Sequence, residues 1–212
     1  MLVLDNIAFS HHGQAVPYLF TMEAPRGEVT AVSGASGSGK STLLDLIAGF
    51  LTPSGGSMTL DGRDLLPLAP EQRPVSILFQ SESLFEHLSA AHNIALGLPP
   101  STPRAKADSR ISAALAEVGL GDIGAQRADT LSGGQKQRVA LARTLLRERA
   151  ILLLDEPFSA LDDETRRATR ALVEDLTRRH DWITLLVSHY ADDIAALATR
   201  VYRIEEGRLL LG

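Results

Sequence analysis

The sequence predicts an α/β fold built around a parallel β-sheet, because strand-like and helix-like segments alternate along the chain. Glu28–Val32 and Val75–Phe79 have the β-branched and apolar residues of strands, and Ser41–Phe50 between them has a helical pattern. Ala150–Leu154 and Trp182–Val187 predict further buried strands, and each is followed by a helical stretch. The fold class therefore follows from the order of these elements alone.

The composition indicates an ordinary folded domain covering residues 1–212. Hydrophobic residues make up 44% of the chain and charged residues 22%, which are typical globular values. The absence of cysteine excludes disulfides, zinc knuckles and thiol catalysis, and a net charge of -5 weighs against general nucleic-acid binding. No apolar stretch approaches the roughly 20 residues that span a bilayer, and the N-terminus lacks a signal-peptide pattern. We therefore expect a cytosolic chain with no nucleic-acid partner.

A helical insertion is predicted in the middle of the chain. Between residues 81 and 137 the strand pattern disappears, and apolar residues recur at helical spacing: Ile111, Ala114, Leu115 and Val118. This divides the domain into a core, residues 1–80 and 138–212, and a helical subdomain at about 81–137. The Pro- and Gly-containing segment Gly97–Pro103 is expected to be an exposed loop.

Two features are predicted in the last third of the chain. One helix should bury an apolar face formed by Ala168, Leu172, Val173 and Leu176. The segment Val201–Leu211 should form a terminal hairpin, because Glu206-Gly207 separates two apolar runs.

A phosphate-binding loop is predicted between the first strand and the first helix. The pattern G-x-x-x-x-G-K-[ST] requires this strand-to-helix context, in which glycines let backbone amides point at phosphate oxygens and the helix dipole adds to the attraction. The lysine would neutralise the β/γ oxygens, and the first hydroxyl after it would bind Mg²⁺. A glycine-rich turn without function does not explain the terminal Lys-Ser. The nucleotide-binding residues are Gly34, Ala35, Ser36, Gly37, Ser38, Gly39, Lys40, Ser41 and Thr42.

Two acids follow the buried strand Ala150–Leu154, where a doubly wound sheet opens toward its ligand. Asp155 would hold Mg²⁺, and Glu156 would polarise the attacking water. Their roles differ because neighbouring strand residues point in opposite directions. A surface turn with two solvated acids is the alternative, and it becomes implausible only beside the phosphate loop.

The segment Leu131–Arg138 contains Ser132, Gly133, Gly134 and Gln135 in the order Leu-Ser-Gly-Gly-Gln, and it resembles the signature sequence of ABC ATPases. Ser132 can cap a helix running through Ala142, which leaves amides at its start for an anion. The resemblance implies a P-loop NTPase (RecA-like) core with an antiparallel β subdomain and a helical insertion. It also implies that the signature contacts the γ-phosphate of ATP bound, with Mg²⁺, by a second copy of the chain.

Three more residues match elements of the ABC ATPase family in the family's order. Gln80 resembles the Q-loop residue that senses Mg²⁺ and the membrane partner, Asp162 resembles the D-loop residue that acts across the dimer, and His189 resembles the residue that contacts the γ-phosphate. Taken singly, each has a structural alternative: a strand-end polar residue, a helix N-cap and an ordinary histidine. Their joint order favours the functional interpretation.

The resemblance is incomplete near the N-terminus. The family has an aromatic residue that stacks on adenine, and this chain has Ser10-His11-His12-Gly13 in the corresponding region. His11 is the candidate for the stacking residue, and two exposed loop histidines are an equally open interpretation.

The runs Ser41–Gly62 and Arg73–Leu88 resemble the thiamine importer ATPases of Gram-negative bacteria beyond the shared motifs. This resemblance implies an integral membrane permease as partner, a periplasmic substrate-binding protein as an indirect partner, and a peripheral location on the cytoplasmic face of the inner membrane. Another importer, an exporter or lipoprotein-release ATPase, and a non-transport ABC ATPase are the alternatives. The permease helix is expected to dock at residues that otherwise pack the subdomain: Leu84, Phe85, His87 and Leu88.

Overall fold

The computed structural model describes residues 1–14, 16–79 and 84–212, and the chain forms two compact units. The first unit comprises Met1–Ile77, Ala150–Glu156 and Val173–Gly212. The second unit comprises Leu78–Arg149 and Pro157–Leu172. No helix in the described ranges is long and apolar enough to cross a membrane.

Ten strands of the described chain form one mixed sheet in the order β5-β4-β1-β2-β10-β9-β3-β8-β7-β6. Strands β9, β3, β8 and β7 pair in parallel, whereas β1, β2, β4 and β5 pair antiparallel. The predicted α/β class with an antiparallel part is confirmed. The strands are β1 Leu2–Phe9, β2 Tyr18–Ala24, β3 Glu28–Ser33, β4 Gly55–Leu60, β5 Arg63–Asp64, β6 Val75–Leu78, β7 Ile151–Asp155, β8 Ile183–Val187, β9 Arg200–Glu205 and β10 Arg208–Leu211.

The two parts of the sheet differ in burial, and the sequence pattern explains why. All five residues of β8 and the first four of β7 are buried, as expected for parallel strands covered on both faces. Strand β2 alternates between buried and more exposed residues, the pattern of an antiparallel strand with one face in the core. The predicted terminal hairpin is present as β9 and β10, which pair antiparallel around Glu206-Gly207.

The first predicted helix is α1, Lys40–Ala48, and a buried arginine holds its C-terminal end. Arg73 is only 3% exposed, and its Nη1 donates to the carbonyl oxygens of Leu46 and Ile47 at 2.6 and 2.9 Å. These carbonyls lie in the last turn of the helix, whose C=O groups lack the usual i+4 partner within the helix. Burial lowers the pKa of Arg73. The contact also explains Gly49, where a Cβ would lie 2.7 Å from Arg73 Nε.

Two helices follow β7 and β8: α5, Asp163–Arg179, and α6, Ala191–Leu197. The predicted apolar face of α5 is correct for Val173 and Leu176, which are buried, and wrong for Ala168, which is exposed. Thr169 is buried instead, and its hydroxyl donates to the carbonyl of Thr165 at 2.8 Å. A threonine can face the interior of a protein because its hydroxyl finds a backbone acceptor within its own helix.

The second unit contains α2, Ala90–Ala95, α3, Arg104–Glu117, and α4, Gly133–Arg147, with α4 packed against both of the others. Ala114, Leu115 and Val118 are buried, as their helical spacing predicts. The proposed helical subdomain lies within this unit over its described residues 84–137. The unit also includes the remainder of α4 and residues 157–172.

The loop predicted between α2 and α3 is exposed at Pro99, Pro100 and Ser101, but Gly97 is buried. A Cβ at Gly97 would lie 2.3 Å from the carbonyl oxygen of Arg143. The prediction of exposure was therefore wrong for Gly97, because here glycine permits close approach of two backbone segments rather than a bend at the surface.

Candidate nucleotide-binding and catalytic site

The glycine-rich loop joins β3 to α1, as the motif requires. Gly34, Gly37 and Gly39 have φ values of 154°, 76° and 109°, which L-residues rarely adopt. Gly39 is the N-cap of α1 and contributes no side-chain hydrogen bond. The first turn of α1 therefore leaves its backbone amides for another acceptor.

The space around the loop also requires glycine. A Cβ at Gly39 would lie 2.5 Å from Tyr18 Cε1, and one at Gly34 would lie 2.6 Å from Ser38 Oγ. Both distances are shorter than a Cβ atom can approach another carbon or oxygen atom without a steric clash. The loop can therefore hold this shape only with glycine at these positions.

Two side chains of the loop indicate that it takes an anion. Lys40 Nζ donates to the carbonyl oxygens of Gly34 and Ala35 at 2.8 and 2.9 Å, so the ammonium group lies across its own loop. Ser38 Oγ is buried and has no hydrogen-bond partner among the described residues. A buried hydroxyl without a partner is rare and points to an absent ligand. A phosphate oxygen fits both groups.

The acid pair stands where β7 ends. Asp155 is paired with Val187 of β8, and the Glu156 amide donates to the Val187 carbonyl at 2.9 Å. Burial raises the pKa of Asp155, and the nearby carboxylates of Glu156 and Asp45 raise it further, while Lys40 lowers it. A buried carboxylate beside other carboxylates attracts a cation. This environment fits the predicted role of Asp155 as a Mg²⁺ ligand.

Glu156 and His189 are joined directly. His189 Nδ1 lies 2.7 Å from Glu156 Oε1, although the two residues are 33 positions apart. The turn that carries His189 is held by Ser188, whose hydroxyl donates to Asp193 Oδ2 at 3.4 Å and accepts from the Tyr190 amide at 3.1 Å. The imidazole therefore fixes the carboxylate that is assigned to the attacking water.

His11 lies beside the start of α1. Its Nε2 is 3.0 Å from Thr42 Oγ1, and its ring meets Phe9 and Tyr18 edge to face, with centroids 4.9 and 6.1 Å away. Burial raises the pKa of Asp45, and His11 lowers it. His11 and His12 are both exposed, as in the alternative of two exposed loop histidines, although His11 also contacts the helix that follows the phosphate loop. Its role as the adenine-stacking residue stays a prediction.

In the second unit, the signature sequence forms the start of α4. Ser132 is the N-cap, and its Oγ accepts from the Gln135 amide at 3.3 Å while Gln135 Oε1 accepts from the Ser132 amide at 2.9 Å. This reciprocal capping box agrees with the cap predicted for Ser132. Gly133 and Gly134 are the first helical residues, so their amides have no acceptor within the helix.

Asp162 caps α5 in the same unit. Its Oδ1 accepts from the Thr165 amide at 2.9 Å, and hydrogen bonds with Thr165 lower its pKa. The N-cap alternative therefore describes the geometry, and it leaves the exposed carboxylate at the surface where a second chain can reach it.

Gln80, the predicted Q-loop residue, lies outside the described residues. Within the described ranges, no group of three or more His, Asp or Glu side chains forms a metal site.

Sequence reasoning missed Asp45 and Asp193, which act on Asp155 and on the His189 turn. Asp45 follows the phosphate loop by one helical turn, and this spacing could have indicated it. For Asp193 the signal was the acid in the first turn of the helix after His189.

A glycine-rich loop opening a helix, with an acid pair at the end of a strand in the same sheet, defines a P-loop nucleotide-binding protein. Residues 20–159 match the family model described as ABC transporter. The chain belongs to the ABC transporter family of ATP-binding proteins, and the predicted family is confirmed.

Relatives are similar to this chain over nearly its whole length. It is 47% identical to the thiamine import ATP-binding protein ThiQ of Escherichia coli (strain K12) over 210 residues, or 99% of this chain and 90% of that protein. The same identity and coverage hold for the protein of that name from Shigella flexneri. The corresponding protein of Escherichia coli O157:H7 is 46% identical over the same shares of both chains.

Proposed function

We propose that this chain is the ATP-hydrolysing subunit of an ABC importer for thiamine, active as a dimer on the cytoplasmic face of the inner membrane. The observation that carries the proposal is the Glu156–His189 hydrogen bond in the unit that contains the phosphate loop. Similarity to thiamine import ATP-binding proteins over 99% of the chain supports the substrate. A periplasmic substrate-binding protein would supply thiamine to the permease.

Binding begins at the phosphate loop. The amides of its glycines and of the first turn of α1 donate to phosphate oxygens, and Lys40 turns from the loop carbonyls toward the β/γ oxygens. Ser41, Asp155 and Gln80 are the residues that would hold Mg²⁺, which neutralises charge on the phosphates.

Hydrolysis depends on Glu156 and His189. Glu156 accepts a proton from the attacking water, which makes the water a better nucleophile toward the γ-phosphate. His189 holds Glu156 in one orientation through Nδ1, and its Nε2 donates to the γ-phosphate when both ring nitrogens carry a proton.

The second copy completes the site. The amides of Gly133 and Gly134 form an anion site at the start of α4, and Asp162 stands exposed nearby in the same unit. We assign these groups to the nucleotide bound by the partner. Hydrolysis then requires two chains.

Permease docking is proposed at the described segment after Gln80. Phe85 is 51% exposed, whereas Leu84 is buried and matches the core-packing alternative. Buried Asn93 fixes the Phe85 backbone: its Oδ1 accepts from the Phe85 amide at 2.8 Å, and its Nδ2 donates to the Phe85 carbonyl at 3.0 Å. An aromatic ring held outward by its own backbone is suited to an apolar partner helix.

A small cavity in the same unit borders Leu84. It has a volume of about 80 Å³ and a mainly apolar lining, which includes Phe79, Leu84 and Ala140. A single apolar side chain of a docked helix would fill it.

The test of the function is reconstitution in vesicles with the co-expressed permease and its substrate-binding protein. We expect thiamine-loaded binding protein to stimulate ATP hydrolysis and to drive thiamine accumulation. Stimulation by a different loaded binding protein, with none by thiamine, would contradict the substrate. A complex that exports its substrate would contradict the direction of transport.

Replacing Phe85 with Asp tests the docking surface. We expect loss of permease assembly and of transport with unchanged ATP affinity, because a carboxylate is costly in an apolar contact. Leu96→Asp is the matched control, since Leu96 is 53% exposed in the same unit. Normal complex recovery by folded Phe85→Asp protein would remove Phe85 from the docking surface, and so would an equal loss in the control.

A further inference from the structure

The side chain of Arg166 holds the segment between Glu156 and α5 in a tight turn. The Leu161 amide donates to the Phe158 carbonyl at 3.2 Å, which forms a turn. Arg166, in the first turn of α5, donates from Nε to the Phe158 carbonyl at 3.3 Å and from Nη2 to the Leu161 carbonyl at 3.2 Å. Its guanidinium therefore bridges both ends of residues 158–161.

The same segment packs closely against the start of α4, the helix that begins with the signature sequence (the signature helix). Gly134 has so little free space that a Cβ there would lie 2.2 Å from Thr165 Cγ2, and one at Gly133 would lie 3.6 Å from Leu161. Gln137 of α4 donates a hydrogen bond to the Pro157 carbonyl. The start of α4 and the segment leading to Asp162 are thus held together by the side chains of Leu161 and Thr165 against the two glycines and by the Gln137 hydrogen bond.

We propose that Arg166 is a positioning residue that holds the D-loop segment, residues 158–162, against the signature helix, so that both present one surface to the nucleotide of the partner chain. This inference rests on the proposed function, in which the signature and Asp162 act across the dimer. It assigns to Arg166 an effect on the partner's reaction and none on nucleotide binding by its own chain.

The geometry accounts for arginine at this position. Asp163 Oδ1 lies 3.9 Å from Arg166 Nη1 and its side chain is 89% exposed, so this ion pair adds little. The planar guanidinium instead donates to two carbonyl oxygens, one from Nε and one from Nη2. A lysine presents a single ammonium and does not reproduce this fork.

The first experiment compares Arg166→Gln with Arg167→Gln in the purified full chain. Arg167 is the exposed neighbour on the same helix, so the control removes the same charge. We expect Arg166→Gln to lower the kcat of ATP hydrolysis about tenfold, because a displaced group near a reacting atom costs at least this much. Its ATP affinity, measured by fluorescent-nucleotide titration, should stay within about twofold of wild type.

A fall in ATP affinity that matches the fall in kcat would overturn the assignment, as would an equal effect of Arg167→Gln. Arg166→Lys provides the conservative variant, which keeps the charge and removes the fork. We expect it to remain impaired, whereas full rescue by lysine would show that charge alone matters. Thermal melting of each variant identifies a folding defect, and a variant of lowered Tm with normal kcat would also overturn the proposal.

The second experiment determines whether Arg166 affects hydrolysis at the site of its own chain or at that of the partner chain. Mixed dimers are purified through two tags, with Glu156→Gln on one copy so that a single site hydrolyses ATP, and single-turnover hydrolysis is measured. Arg166→Gln on the copy that carries Glu156→Gln should slow hydrolysis at the intact site about tenfold. Arg166→Gln on the other copy should leave it unchanged. The reverse pattern, or equal slowing in both arrangements, would overturn the inference.

Failure of this inference is distinct from failure of the proposed function. If Arg166 has no positioning role, wild type still hydrolyses ATP, Glu156→Gln is still inactive, and only the Arg166 variants are unaffected. If the proposed function is wrong, Glu156→Gln retains full activity.

Discussion

Two helices of this protein begin at glycine-rich segments, and their first turns are built differently. Helix α1 starts after left-handed Gly39 with no side-chain cap. Helix α4 starts after Ser132, which forms a complete capping box with Gln135. The first unit therefore has no side-chain cap at its helix start, whereas the second unit caps the amides of Ser132 and Gln135 and leaves those of Gly133 and Gly134 without an acceptor in the helix. In the proposed function, the first helix start binds the nucleotide of its own chain, and the second acts on a nucleotide brought by another chain.

Among the changes that test this comparison, Glu156→Gln is expected to have the largest effect on ATP hydrolysis. Hydrolysis should fall about 10³-fold, because the group that takes the proton from water is lost. ATP binding should persist, since the phosphate loop is unchanged, and a dimer should accumulate. Steady-state hydrolysis and ATP-dependent dimerisation by size-exclusion chromatography measure the two results. Near-normal hydrolysis would remove Glu156 from its role.

Lys40→Ala should act at the binding step. The loss of a charged donor to phosphate should weaken ATP binding about 10- to 100-fold, measured by calorimetry. Thermal melting serves as the control for folding, because Lys40 also donates to the carbonyls of Gly34 and Ala35. Unchanged ATP affinity in the folded variant would contradict the assignment of the first unit as the binding region.

Gly134→Ala tests the second unit. The added methyl meets Thr165 Cγ2, so we expect hydrolysis to fall about tenfold and the Tm to decrease, with ATP affinity unchanged. Thr165→Ser removes the methyl group in question and should restore both quantities when combined with Gly134→Ala. A double variant as impaired as Gly134→Ala alone would show that the close contact is not the cause.

Asp155→Asn is expected to have the smallest effect on the free chain. The pKa of Asp155 is raised by burial and by Glu156 and Asp45, so its charged form disfavours the folded state at neutral pH. The neutral amide should raise the Tm by about 2 °C without nucleotide. With Mg²⁺ and ATP present, wild type should become the more stable protein. If wild type is more stable in both conditions, the site does not favour a cation.

Local patterns in the sequence were sufficient for the fold class and for the loop and strand-end residues. The motif from Gly34 to Ser41 is contiguous, and strand ends are marked where an apolar run meets Asp155. Ser132 was predicted as a cap because Ser is a preferred N-cap residue. These features depend on spacing within one element, which a sequence displays directly.

Contacts between distant residues could not be predicted. The Glu156–His189 hydrogen bond depends on the register of β7 against β8, and no local pattern encodes that register. The error at Ala168 has a related cause. A pattern of apolar residues selects Ala168 rather than Thr169 for the buried face. It does not show that the Thr169 hydroxyl finds an acceptor inside the helix, which allows this threonine to be buried.

The central claim is that each reaction site takes its two halves from two chains, and a mixing experiment tests it most directly. One chain carries Lys40→Ala, and the other carries Ser132→Arg, which places a long cation at the start of α4. Each is purified, and single-turnover ATP hydrolysis is measured alone and after mixing. We predict negligible hydrolysis by either variant alone and recovery in the mixture, up to about a quarter of the wild-type level for random pairing. A mixture that forms dimers by size-exclusion chromatography and remains inactive would contradict the claim.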